Sequence, residues 1–170
     1  MDTKLEAVVK AIQSKFGATS EEFRGEVHLF VKPDQIIAVL TLLHDEHSFE
    51  LMSALTCVDY YPQNAPRYHV IYQMSSLKNN ITVQIRVLVN GNQPKVPTVT
   101  HLFETANWRE REVADMFGIE FEGHPDPRRI LMPPDWDGHP LRKDYPLGYE
   151  EPQFTFNFDE IDVRKPYAKE

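Results

Sequence analysis

Residues 81–89 read ITVQIRVLV, and they constrain the fold more than any other stretch. Ile81, Val83, Ile85, Val87 and Val89 fall on one side of an extended chain, Thr82, Gln84 and Arg86 on the other. A helix would scatter these β-branched residues around its circumference, so the segment is expected to be a strand. A polar second side means a sheet covered on one face only. The cover is found upstream. Leu5, Val8, Val9, Ile12 and Phe16 follow helical spacing up to Gly17; Ile36, Ile37, Leu40 and Leu43 do so after Pro33, to about Asp45. Between these helices Val27, Leu29 and Val31 alternate as a strand.

Further strands are expected at Ala54–Tyr60 and Tyr68–Met74, the latter turning through Lys78-Asn79-Asn80 into 81–89 as a hairpin. Asn90–Pro97 reads as loop and Val99–Ala106 as a third helix. A charged helix follows, and Ile119-Glu120-Phe121 reads as a last short strand. The fold class is therefore α+β: two layers, a mixed and mostly antiparallel sheet with helices on one face. Three regions are expected: a core at 1–121, a proline-rich strap at 122–147 and an extended tail at 148–170. Seven prolines between Pro125 and Pro152 argue against regular structure there.

Composition excludes several functions. A net charge of −8 argues against binding a phosphate backbone, so no nucleic-acid partner is expected. No apolar run approaches the ~20 residues that span a bilayer. The opening residues MDTKLEAVVK lack both a secretory h-region and the arginines of a transit peptide. The single cysteine, Cys57, cannot alone hold an iron–sulfur cluster, and its apolar neighbours make it a small buried hydrophobe. No GxGxxG, GxxxxGK[ST] or GxSxG is present.

The charged helix is unusual. Asn107 reads as its N-cap, with Glu110 reaching back in a variant of the capping box, and Gly118 as its C-terminal stop. Trp108, Val113, Met116 and Phe117 define an apolar face that also takes in Arg109 and Glu112; Arg111 and Asp115 form an i,i+4 pair at its edge. Buried charges need partners. Arg128, Arg129, Arg142 and Lys143 supply cations and Asp126, Asp135, Asp137 and Asp144 anions, so one interlocked network is expected.

These residues also carry a resemblance. Glu110-Arg111-Glu112, Asp115-Met116-Phe117, His124, Arg128-Arg129-Ile130-Leu131, Asp135-Trp136 and Gly138-His139-Pro140-Leu141-Arg142-Lys143-Asp144-Tyr145-Pro146 stand in the order of a known signature. It resembles that of the thirty-kilodalton subunit of NADH:quinone oxidoreductase (respiratory complex I). Pro127 departs from it, standing where the family pattern has a bulky aliphatic residue. The resemblance implies a structural subunit of the hydrophilic arm, in a hetero-oligomer with the quinone-site subunit and the iron–sulfur subunits. It implies no cofactor in this chain: FMN, iron–sulfur clusters and quinone would belong to other subunits. It also implies a peripheral place on the cytoplasmic face of the inner membrane. A similar protein occurs in related membrane-bound hydrogenases.

Two other readings come from the residues themselves. His124, Asp126 and His139 invite a metal-dependent hydrolase, against which each histidine precedes a proline in a stiff turn. In the tail, Phe154, Phe156 and Phe158 at period two would share one side of an extended strand, a candidate contact either with a partner protein of the complex or with the chain's own sheet edge.

Overall fold

The computed structural model describes residues 3–146. Helix α1 (Thr3–Phe16) leads into a hairpin of β1 (Thr19–Phe23) and β2 (Glu26–Val31). A 3₁₀ turn (Pro33–Gln35) starts α2 (Ile36–His47), and β3 (Leu51–Asp59), β4 (Tyr68–Ser76) and β5 (Ile81–Val89) follow. The short strands β6 (Lys95–Pro97) and β7 (Glu120–Glu122) flank α3 (Ala106–Phe117).

The five-stranded sheet has the order β1-β2-β5-β4-β3. Its β2–β5 pair is parallel and its other pairs are antiparallel. The expected inward positions of β5 are all buried, and one hydrophobic cluster joins them to the inner residues of α1, α2 and α3. On the opposite face Arg86 Nε donates to Gln84 Oε1 at 2.6 Å and Gln84 Nε2 to Gln73 Oε1 at 3.3 Å. The α+β, two-layer expectation is met.

Four local expectations are corrected. Strand β1 carries no sequence signal, because all five of its residues are exposed and no alternation marks it. Its turn is built by Arg24 and Gly25, both at positive φ (52° and 84°), as a tight hairpin needs. Strand β3 begins at Leu51 rather than Ala54, a bulge between Met52 and Ala54 having broken the alternation. The loop expected at 90–97 ends in β6, which pairs in parallel with β7. Val99–Ala106 is a series of turns rather than a helix: Val99 O accepts from Leu102 N and Phe103 N, while Ala106 N bonds Phe103 O.

From Gly123 to Pro146 the chain has no helix or strand. It runs along α3 and then crosses to the sheet, as the contacts below show.

Candidate functional site

The signature residues converge where the strap meets α3. The helix begins after Thr105, whose side chain makes no cap bond, so Asn107 is not the N-cap and no capping box forms. The buried positions are Ala106, Glu110, Val113, Asp115, Met116 and Phe117. Trp108 is 58% exposed, Glu112 is exposed and Arg109 half-buried. Val113, Met116 and Phe117 are thus inward as the periodicity predicts, whereas the places expected for Trp108, Arg109 and Glu112 are corrected. Trp108 outweighs the alternatives in hydrophobicity, whereas Glu110 is tolerated inside because its oxygens find donors. Glu110 Oε2 accepts from the Thr98 hydroxyl at 2.5 Å and Oε1 from Val99 N–H at 2.8 Å. Burial raises its carboxyl from 4.5 to about 7, against the pull of those two bonds.

His124 lies beside it, Nε2 being 3.9 Å from Glu110 Oε2. Its Nδ1 accepts the Asp126 N–H at 3.0 Å, which leaves Nε2 to donate to the Asn107 carbonyl at 3.1 Å. The histidine therefore ties the start of the strap to the first turn of α3.

Asp115 does the same for the middle of the strap. Its Oδ2 accepts three successive backbone N–H groups, from Ile130, Leu131 and Met132, at 3.1, 2.8 and 2.9 Å. Oδ1 takes Arg129 Nη1 at 3.0 Å. Burial would push this carboxyl up, but the N–H groups and Arg129 outweigh it and hold it below the usual range. The expected Arg111–Asp115 pair does not form. Arg111 turns instead to the carbonyls of Arg128 and Arg129 and to Asp126, 3.4 Å away. Arg128 forks onto Asp126 with two 2.7 Å bonds, which with Arg111 depress that carboxyl.

The far end of α3 is closed by residues 139–142. His139 Nδ1 donates to Asp115 O at 2.8 Å, Leu141 N to Met116 O at 3.1 Å, and Arg142 Nε to Phe117 O at 2.6 Å. Carbonyls that a helix leaves unpaired are thus satisfied by the strap, with a cation at the negative end of the helix dipole. Burial, first of several causes, lowers the His139 imidazole. Gly118 permits this approach: its φ is +71°, and a Cβ there would collide with the Arg142 guanidinium and lie 2.5 Å from His139 Nε2. Gly118→Ala is expected to cost about 1–3 kcal/mol for the backbone alone, read as a lower urea midpoint at unchanged slope. A midpoint equal to wild type would contradict this placement.

The third anchor is one that the sequence does not announce. Arg67 forks onto two carboxylates, with Nε and Nη2 on Asp59 (2.9 Å each) and Nη1 and Nη2 on Asp144 (3.0 and 2.7 Å). Asp59 also accepts the N–H of Lys143 at 2.9 Å and that of Tyr61 at 3.0 Å. The guanidinium lies 4.9 Å from the Tyr68 ring centroid. Burial works against ionised Asp59, yet Arg67 and the two N–H groups keep it low; Arg67 likewise lowers Asp144. The sequence signal available was Val58-Asp59-Tyr60 with an arginine just after Pro66.

The remaining candidates divide. Asp135 and Asp137 are exposed and enter no ion pair among the described residues, so the expected network is narrower than its charges. Lys143 contributes its backbone N–H, its side chain being exposed. His124 and His139 bond carbonyls eight residues apart on α3, about 12 Å along the axis. They do not meet, which removes the geometry of the hydrolase reading. Among the described residues no group of three or more His, Cys, Asp and Glu side chains could hold a metal. Cys57 is buried, and burial pushes its thiol up to about 12. Phe154, Phe156 and Phe158 lie outside the described residues. No helix of the described residues is long and apolar enough to cross a membrane.

Comparison with known proteins gives one answer. Residues 29–151 match the family model described as respiratory-chain NADH dehydrogenase, 30 Kd subunit. An NADH-quinone oxidoreductase subunit from Roseiflexus sp. (strain RS-1) is 48% identical over 153 residues, 89% of this chain and 87% of that one. The corresponding protein of Trichlorobacter lovleyi is 44% identical over 142 residues, 82% and 88% of the two chains. Among solved structures, a trypsin-resistant fragment (1–134) of Nqo5 is similar at 32% identity and TM-score 0.64, covering 73% of this chain and 99% of that one. A chain of an archaeal membrane-bound sulfane sulfur reductase shares the fold, with TM-score 0.74, 23% identity and coverage of 98% and 96%.

Proposed function

The chain belongs to the family of the 30 kDa subunit of respiratory-chain NADH dehydrogenase, and from that premise we propose that its work in the complex is architectural. It holds the quinone-site subunit and its iron–sulfur neighbours in register, on the cytoplasmic side of the membrane, and carries no cofactor or catalytic side chain itself. The observation that supports this most is where the signature residues are spent. Glu110, Asp115, His124, Arg129, His139 and Arg142 all bond groups of this same chain: Glu110 ties α3 to the turn at Thr98 and Val99, and the other five fix the strap in place.

The division into core 1–121, strap 122–147 and tail 148–170 is part of the same proposal. The core gives a rigid platform, the strap a shaped surface, and the tail an arm that lies on a partner through Phe154, Phe156 and Phe158. In Nqo5 a fragment ending at residue 134 is the trypsin-resistant one, which favours a protease-sensitive extension beyond the core. Chymotrypsin, which cleaves after aromatic residues such as Tyr149, Phe154, Phe156 and Phe158, should cut the tail quickly in the isolated chain and slowly in the assembled complex; equal rates would rule out the arm.

Affinity capture of the tagged chain from native membranes tests the whole reading. It is expected to recover the quinone-site and iron–sulfur subunits together, while the chain purified alone is colourless. Capture of the chain without them would overturn it. The same partner set tells NADH:quinone oxidoreductase from an equivalent membrane-bound hydrogenase.

A further inference from the structure

The outer side of the α3–strap junction carries a feature that the clamp does not require. Trp108, Ile130 and Leu131 are 58%, 38% and 61% exposed. Together with Thr105, Arg109 and Glu112 they line one groove of about 430 Å³. These apolar groups are not on loose chain. Asp115 pins the backbone N–H groups of Ile130 and Leu131, and Arg111 pins the carbonyls of the two residues before them. Trp108 is near the start of a helix fixed at both ends by the strap. Rigidly held, exposed aromatic and aliphatic side chains mark a contact surface, because their ordering cost has already been met before a partner arrives.

The charges at the rim make an independent observation. Arg111, Arg128, Arg129 and Arg142 each bond a carboxylate or a carbonyl. Arg109, half-buried beside Trp108, makes no such bond among the described residues, and neither does Glu112 one turn on. Tryptophan and arginine are among the residues most enriched in energetic hot spots. The rim carries both signs, and the net charge is −8, which disfavours a phosphate backbone or an anionic bilayer.

We propose that Trp108, Ile130 and Leu131 floor a docking groove for another protein of the same complex. That partner places an apolar side chain against Trp108, an acid on Arg109 and a base on Glu112. The proposal rests on the reading of the chain as part of a complex and adds the surface that does the docking.

The test uses the full chain, expressed with its complex and captured through a tag on an iron–sulfur subunit. Trp108→Ser with Leu131→Ser, and separately Arg109→Glu, are expected to lower the captured chain at least tenfold. The urea midpoint of each isolated variant should stay at the wild-type value. Leu77→Ser, at a 74% exposed hairpin residue, should be captured like wild type. Normal capture of both groove variants overturns the proposal. So does a concentration-dependent dimer of the isolated wild-type chain that the double variant abolishes, since a second copy then fills the groove. In a Trp136→Phe background, greater acrylamide quenching of Trp108 after truncation behind Pro146 also overturns it, in favour of the chain's own tail. Failure to capture wild type sinks the reading as a complex component itself, a result distinct from failure of the variants to differ.

Discussion

Asp115→Ala is expected to lower the unfolding free energy by about 3–5 kcal/mol, the usual consequence of removing one member of a buried charged pair. The carboxylate is inaccessible and serves three N–H groups and a guanidinium. Alanine leaves those donors unpaired beside a cavity. Glu112→Ala, three residues away on the exposed side, should stay within about 0.5 kcal/mol of wild type. The pair also tests the corrected helix face, since a face centred on Trp108 would make Glu112 the costly one. Urea unfolding of both variants at pH 7 decides it; equal small losses would mean that the strap is not anchored through Asp115. Because Asp59, Asp115 and Asp144 are all held low, their contribution is present above the unfolded carboxylate range near 3.8. It is lost as pH falls further, so acid should loosen the strap.

Glu110 has the opposite sign. Its carboxyl is raised from 4.5 to about 7 by burial. Below 4.5 both folded and unfolded chains hold the proton. Between 4.5 and 7 the unfolded chain releases it while the folded chain keeps it, so stability contributed by the protonated acid drains away as pH rises. A raise of this size corresponds to about 3 kcal/mol. Glutamine keeps an acceptor for Val99 N–H and cannot ionise. Glu110→Gln is therefore expected to match wild type near pH 4.5 and to exceed it by about 3 kcal/mol at pH 8. The difference between the two curves isolates this residue from His28, His69 and His139, whose lowered values act in a neighbouring window. Parallel curves from pH 4.5 to 8 would mean that Glu110 is ionised in the folded chain throughout.

The sheet was legible where one side of a strand is wet and the other dry, as in β5. It was illegible in β1, wet on both sides, and blurred in β3, where the bulge after Met52 shifts the phase. Helix α3 is legible as a helix, and its periodicity places Val113, Met116 and Phe117 inward as found, but it misplaces Trp108 and Glu110. A hydrophobicity pattern cannot know that Thr98 and Val99 will meet a carboxylate, so it buries Trp108 and exposes Glu110. The strap residues are recognisable as mutually charged, yet their pairings are not. Turn geometry in a proline-rich segment decides which acid meets which base, and Arg67 reaches Asp144 across 77 positions. The family signature contains Asp115 and Arg129 without saying that they bond each other. It also leaves the Asp59–Arg67–Asp144 anchor unnamed as a unit.

Turnover per assembled complex is the measurement closest to the claim of an architectural role. Membranes carrying Asp115→Ala or Arg67→Met should contain less assembled NADH:quinone oxidoreductase, quantified by its bound flavin. Electron transfer per flavin should equal that of wild type. A complex assembled in normal amount whose rate per flavin has collapsed would contradict the account, because these residues would then be serving the reaction rather than the structure.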